Sequence, residues 1–302
     1  MHIFFRQHSH RTASLIVFLS SAIWGIMWLP MREAESLGLA PIWVQGLFML
    51  MPALVMMPFA LRATLAARRH WLIYLAAGGL INAGFTCFGL GLMMASVSKT
   101  TVLFYLTPVW GTILGRVWLG ERPGGLRWLA VGAAVVGCAL VMQLDPWRMA
   151  FEPVDLLGLS SGLLWGAGSA VLRRYPEADF RNTTFVQYCF GVVLAGFVIV
   201  IMDVPTPAPA DIVAATPWAV AFGAFLFLPA LMLVFRISQY LSLGLVGILM
   251  LSEVLVAAST AALFLGERLY PAQLLGVGLI IAAGAGVALS GPHSRHHEGP
   301  RG

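Results

Sequence analysis

Glu253 is the one acidic residue that sits well inside a long apolar run. A carboxylate in such a place can exchange a proton, pair with an amine or accept hydrogen bonds from a ligand. On a helix it shares a face with Ala257 and Thr260, spaced i, i+4 and i+7. A second stripe carries Thr101, Tyr105, Pro108 and Thr112 at i, i+4, i+7 and i+11. Its proline has no N–H, so a carbonyl one turn earlier is freed to act as a ligand or to mark a hinge. Pro229 is a second break of this kind, away from the position equivalent to Pro108. Ser21, Trp24 and Trp28 form another face, as do Ser161, Trp165 and Ser169, and Asn82 lies one turn before Thr86. Indole rings supply an apolar wall with a single donor, suited to a flat organic molecule or to a cation. Each set also has a purely structural reading: tryptophan anchors at an interface, asparagine ties helices together, a carboxylate makes a structural hydrogen bond. The candidate binding residues are Trp24, Trp28, Asn82, Thr86, Tyr105, Trp165, Ser169 and Glu253, with Pro108 and Pro229 as candidate hinges.

The elements that must position these groups follow from composition. Of 302 residues, 59% are hydrophobic and 10% charged, against about 25% charged in a typical soluble chain, and the mean hydropathy is +0.86. Apolar runs long enough to span a bilayer are read at 13–31, 41–61, 71–95, 100–119, 126–144, 155–173, 183–202, 217–236, 243–265 and 271–290. Breakers separate them: Pro41, Pro123-Gly124-Gly125, Asp145-Pro146, Pro176, the Pro205/Pro207/Pro209 run and Pro271. With ten spans and a cytoplasmic N-terminus, fourteen arginines, Arg62, Arg127 and Arg173 among them, fall inside. Four basic residues fall outside: Arg32, Lys99, Arg148 and Arg268. Removing one central span would scramble that separation. The fold class is therefore all-α integral membrane, with both termini cytoplasmic and the first span retained rather than cleaved.

Phe264-Leu265-Gly266-Glu267-Arg268 repeats Trp118-Leu119-Gly120-Glu121-Arg122 at an offset of 146 residues, and Trp165-Gly166 echoes Trp24-Gly25 at 141. Five spans is an odd number, so the second copy must be inserted upside down. Residues 1–144 form the first five-helix repeat, 145–154 an external linker, 155–291 the inverted second repeat, and 292–302 a disordered cytoplasmic tail. Inverted repeats of this kind place a solute site between the halves near the membrane midplane. Glu121 and Glu267 are expected to cap or pair at span ends, and Lys99 to be an ordinary solvated loop charge. Gly158, Gly162 and Gly166, like Gly111 and Gly115, permit close helix contact.

Several functions are excluded. The sole lysine follows Ser98, so no Walker A loop exists and this chain does not hydrolyse ATP. All seven histidines lie at the termini or in a loop, leaving no HExxH zinc site and no haem ligand within a span. Cys87, Cys138 and Cys189 are scattered in apolar runs and read as free buried thiols. No cofactor is implied. The arginines form no aromatic-studded stripe, so nucleic acid is not a partner; the expected partners are a small-molecule substrate and the lipid bilayer, with a monomer as the working unit.

Ala22-Ile23-Trp24-Gly25, Leu106-Thr107-Pro108-Val109 and the two Leu-Gly-Glu-Arg endings resemble the drug/metabolite transporter superfamily, and within it the bacterial EamA-type group, over about Ser14 to Leu289. The resemblance implies a ten-helix exporter of small metabolites in the bacterial inner membrane, not an enzyme, closest in general look to exporters of aromatic or hydrophobic amino acids. Other metabolites, amphipathic drugs, or a channel on the same bundle are the alternatives. An intramembrane enzyme would need clustered acid, base or nucleophile groups at one depth, and Glu253 stands without them. Two features depart from the group: the second half has Glu253-Val254 where the first has Thr107-Pro108, and Arg32 stands where many relatives have lysine.

If Glu253 couples transport to protons, Glu253→Gln removes the pH dependence of solute uptake into proteoliposomes; an unchanged pH profile would end that assignment.

Overall fold

The computed structural model describes residues 10–95, 97–144, 151–265 and 270–289. The second Gly-Glu-Arg turn with Glu267, the Asp145-Pro146 breaker with Trp147 and Arg148, and the tail 292–302 lie outside the described residues, which form helices joined by short turns and include no strand. The first stretch, residues 10–36, is α1 (His10–Ala22), a 3-10 turn (Ile23–Ile26) and α2 (Trp28–Ser36). It is followed by α3 (Pro41–Ala66), α4 (Trp71–Met94), the pair α5 (Val97–Phe104) and α6 (Thr107–Val117), and α7 (Gly125–Val141). The remainder is α8 (Asp155–Arg174), α9 (Phe180–Ile201), α10 (Pro209–Trp218) leading through a π-helical stretch into α11 (Leu228–Ser238), then α12 (Leu243–Met250), α13 (Ser252–Leu265) and α14 (Pro271–Leu289). Among the described residues eight helical stretches are long and apolar enough to cross a membrane; α7 is shorter and apolar, and α5 with α6 is a broken pair.

Local chemistry sets many boundaries. Pro41, Pro209 and Pro271 open α3, α10 and α14, where a missing N–H leaves no helical bond unmade. The Pro205/Pro207/Pro209 run therefore ends at a helix start, and that stretch begins well before the expected residue 217. Asp179 caps α9 by accepting from the Arg181 N–H at 2.8 Å. Burial pushes its carboxyl up, but the Arg181 hydrogen bonds outweigh that and hold it below the usual value. Gly120, at φ +67°, ends α6 in the left-handed region, so the Glu121 N–H reaches back to the Gly115 carbonyl at 2.8 Å.

Helices from the two halves interleave. α4 packs on α8 and α9, α3 on α9, α7 on α14, α6 on α12, α5 and α6 on α8, α1 on α11, and the 3-10 turn at Gly25 on α13. Small residues set these separations. A Cβ at Gly137 would stand 2.7 Å from the Gly276 carbonyl, and one at Gly168 would stand 2.9 Å from the Ala77 carbonyl. Gly158 and Gly162 receive Thr100 and Phe104 from the α5–α6 pair, as the sequence spacing suggests, whereas Gly115 makes room for the Glu121 carboxylate rather than for another helix.

Lys99 is not a solvated loop charge. α5 begins at Val97, so Lys99 occupies its first turn and its ammonium pairs with Asp155 in the first turn of α8, both side chains largely buried at 11% and 1% exposure.

Gly137→Val drives a side chain into the backbone of α14 and lowers the melting temperature in detergent, by about 1–3 kcal/mol of stability. Gly132→Ala on the same helix meets nothing within 4 Å and is neutral or stabilising by up to about 1 kcal/mol. Equal melting temperatures for the two variants would contradict this packing.

Candidate functional site

The site begins at two helix breaks. Pro108 offers no N–H to the Phe104 carbonyl one turn earlier; the Thr107 hydroxyl donates to that carbonyl instead, at 2.6 Å. The chain turns at Tyr105–Leu106 and resumes as α6. The second break falls at Leu251, between α12 and α13, and Leu251 lies 146 residues after Tyr105, the repeat offset. No proline makes it. The Leu251 and Val254 N–H groups bond three residues back, and the Ser252 hydroxyl donates to the Phe18 carbonyl of α1 at 2.7 Å. Pro229 marks another irregularity, following the π-helical stretch Ala219–Phe227 at the start of α11.

Beyond each break the helices diverge on one side and close on the other. An open cavity of about 1170 Å³ has Val97, Ser98, Thr101 and Tyr105 of α5 on one wall and Glu253, Val254, Ala257 and Ala258 of α13 on another. Trp24 and Trp28 line it from the first helical stretch, and Arg32, Glu35, Gln143 and Tyr270 stand toward its mouth. The Tyr105 hydroxyl donates to the Glu253 carboxylate, linking α5 to α13. The Trp28 indole donates to the Thr260 hydroxyl at 3.1 Å.

A smaller chamber of about 50 Å³ adjoins it, sharing Trp24, Met27, Phe88 and Glu253. Its walls are aromatic. Trp24 stacks on Phe85 with ring centroids 5.7 Å apart, and Phe85 meets the edge of Trp165 at 4.9 Å. The two tryptophans singled out as sequence echoes thus flank one phenylalanine.

On the opposite side α6 and α12 touch backbone to backbone. A Cβ at Gly111 would lie 2.9 Å from the Leu243 carbonyl, one at Gly247 would lie 2.7 Å from Pro108 Cα, and Gly244 abuts Thr112. Glu121 closes this end, receiving Arg127 at 3.3 Å and the Leu243 N–H at 3.4 Å. Burial raises its carboxyl above the usual value, against the pull of the Arg173 and Arg127 charges.

The structure sorts the sequence candidates unevenly. Trp24, Trp28, Tyr105 and Glu253 line the large cavity, and Trp165 lines the chamber. Asn82, Thr86 and Ser169 line neither. Asn82 is fully buried against Met49 of α3 and Gly191 of α9, donating weakly to the Met49 sulfur and accepting from Thr86 at 3.4 Å. The face of α4 that reaches the cavity carries Phe85, Phe88 and Leu92 instead, roughly 100° around the helix from the polar pair at 3.6 residues per turn. The Thr101–Thr112 stripe is divided by the break, Thr101 and Tyr105 facing the cavity while Pro108 and Thr112 face α12. Phe85, Phe88 and Glu35 escape the sequence reading, which places Ser21 on the Trp24–Trp28 face but not among the binding candidates; for the two phenylalanines the 85/88/92 spacing is the signal that was present. Among the described residues no group of histidine, cysteine or carboxylate side chains could hold a metal ion.

Comparison with known proteins agrees with this architecture. The model of the EamA-like transporter family matches twice, over residues 11–143 and 153–289. A riboflavin transporter of Rhizobium johnstonii is 30% identical over 162 residues, 53% of this chain and 51% of that protein. A riboflavin transporter of Vibrio cholerae is 24% identical over 122 residues, 40% of this chain and 39% of that protein. The chain thus spans about half the length, or less, of the curated relatives it matches. A protein crystal structure superposes with a TM-score of 0.72 over 93% of this chain and 97% of its own, at 15% identity, which speaks to the fold alone. With apolar helices fit to cross a membrane and a family match running through both halves, this chain is a multi-pass membrane protein and belongs to the EamA-like transporter family.

Proposed function

We propose that the chain is a secondary transporter that moves flat aromatic metabolites across the bacterial cytoplasmic membrane by alternating access. On this reading it has ten spans with both termini cytoplasmic. Residues 1–144 and 155–291 are inverted five-helix units, 145–154 is an external linker and 292–302 a cytoplasmic tail. The cavity mouth, with Arg32 and Glu35, then faces outward, and Glu121, Arg127 and Arg173 lie at the cytoplasmic end. Export is the direction the family resemblance implies, driven by the solute gradient or by protons through Glu253. No cofactor enters, and a monomer is the working unit.

One observation carries the mechanism. The sealed crossing is made by Gly111 with Leu243, Pro108 with Gly247, and Thr112 with Gly244. Moving each residue by the repeat offset of 146 gives Ala257 with Val97, Val254 with Thr101, and Ala258 with Ser98, and all six of these line the open cavity. The residues that hold one end shut thus correspond, pair by pair, to those that stand apart at the other. A two-fold related state that exchanges the two ends is the rocking motion expected of inverted repeats. Pro108 and Pro229 are the proposed hinges, since each lies at a departure from regular α-helix.

The substrate class rests on the aromatic walls and on the relatives named riboflavin transporters. A cavity of about 1170 Å³ lies above the range, roughly 300–1,000 Å³, of pockets that enclose drug-sized ligands, more room than an amino acid requires. Amino acids, aromatic ones first, remain the second reading because Arg32 and Glu35 at the mouth offer a zwitterion one charge of each sign.

Proteoliposomes holding the purified protein test both readings with labelled riboflavin, Phe, Tyr, Trp, Thr and Met. Saturable riboflavin uptake is expected; saturable amino-acid uptake without riboflavin would promote the second reading, and uptake of none would discard both.

The mechanism has its own test in a variant whose native cysteines are replaced. A Cβ on Gly244 lies 3.3 Å from Thr112 Cβ, close to the ~3.5–4.5 Å of a disulfide. Oxidised Thr112→Cys/Gly244→Cys therefore crosslinks and halts transport until reduced. Ser98→Cys/Ala258→Cys also crosslinks, but only as the opposite state is visited. Absence of that second crosslink in a protein that transports would refute the exchange of ends.

A further inference from the structure

The small chamber holds a polar atom with no partner. Ser21 is 1% exposed, and its hydroxyl oxygen is buried without a hydrogen bond. Helical serines commonly donate to the carbonyl four residues back, as Ser14 does to His10 at 2.9 Å and Ser259 to Leu255 at 2.7 Å. Ser21 makes no such bond. Buried hydroxyls are rarely left unpaired, because desolvation without compensation is unfavourable, and an exception asks for a partner supplied from outside the chain.

The second polar group of the chamber is the Glu253 carboxylate. Ser21 stands one turn before Gly25, where the missing Cβ lets the backbone of α13 at Glu253–Ala257 come into contact. The hydroxyl and the carboxylate are thereby held on adjoining walls. The Tyr105 hydroxyl donates to one carboxylate oxygen, which leaves the other to accept. Around them stand Trp24, Phe85 and Trp165. The volume of about 50 Å³ exceeds the roughly 10–15 Å³ that one water requires, enough for the edge of a ring.

This pairing selects a chemistry. An ammonium group would satisfy Glu253 and can donate to the Ser21 oxygen, but it leaves the Ser21 proton without an acceptor. A carboxylate would meet the charge of Glu253, and a hydrocarbon edge would leave the Ser21 hydroxyl and the second Glu253 oxygen unpaired. Resting on the flat-aromatic reading above, we propose that Ser21 and Glu253 together bind an amide or imide edge of a planar ring system. The Ser21 hydroxyl donates to the ring carbonyl, and the carboxylate accepts from the adjacent ring N–H. Ser21 is then a specificity-determining residue of the site.

Two probes separate this from packing. Alloxazine is a planar three-ring imide, and its N,N′-dimethyl derivative keeps the rings but lacks the N–H. Binding is read by quenching of tryptophan fluorescence in the purified full-length protein, alongside the melting temperature without ligand. The unmodified protein is expected to favour alloxazine by about tenfold, the scale of a lost hydrogen bond to a charged group. Ser21→Ala, which removes the donor to the ring carbonyl, weakens alloxazine about two- to tenfold. Because its hydroxyl has no bond to lose, the same variant melts at the same temperature or higher. Equal binding of the two probes overturns the edge reading while the flat-aromatic reading stands; binding of neither removes both. A lower melting temperature for Ser21→Ala with the affinity for alloxazine intact returns Ser21 to a packing role.

Discussion

The contact on which the rest depends is the crossing of α6 and α12, where Pro108 lies against Gly247 and Gly111 against the Leu243 carbonyl. Two helices approach this closely only if side chains are absent at the contact, and within a bilayer such packing supplies much of the attraction between helices. Closure here fixes divergence elsewhere. Each of the two broken stretches has one half in the crossing and the other on the cavity wall, so pinching the first halves together splays the second.

Broken helices are tolerated at membrane depth only where protein or cavity satisfies the freed backbone groups. The first break meets that condition locally, through the Thr107 hydroxyl on the Phe104 carbonyl, against which Gly162 packs so closely that a Cβ there would stand 2.5 Å from the oxygen. The second meets it at a distance, with Ser252 bonding to Phe18 and the Glu253 side chain receiving Tyr105. One half carries its break in a proline, the other in its neighbours.

Charge placement follows the same economy. Lys99 and Asp155 neutralise one another between α5 and α8, and Glu121 is held among Arg127, Arg173 and the Leu243 N–H at the sealed end. An unpaired charge in either position would be strongly unfavourable. Glu253 differs, since its only side-chain partner recorded among the described residues is a neutral phenol and it borders both cavities. This carboxylate stands beside solute-sized space with Trp24 and Trp165 close by, at the centre of the candidate site.

Much of this was legible in the chain alone. Hydropathy marks the apolar helices because lipid forces every backbone group to be satisfied within its own segment, and the doubled Leu-Gly-Glu-Arg and Trp-Gly signatures reveal two related halves. Residue type and spacing brought Trp24, Trp28, Tyr105, Trp165 and Glu253 to the candidate site, because polar groups in apolar helices seldom face lipid and the two Trp-Gly pairs recur at close to the repeat offset. Only the tertiary structure decided the rest. Asn82 and Thr86 turn toward α3 and α9, and Phe85 and Phe88 toward the cavity, because helix rotation is set by the neighbours and not by the polarity of one face. The break at Leu251 has no breaker of its own, and Lys99 finds Asp155 across 56 positions of sequence. Sequence spacing reports what lies along one helix; which helix comes to lie beside it, and with which face, depends on contacts made between distant parts of the chain.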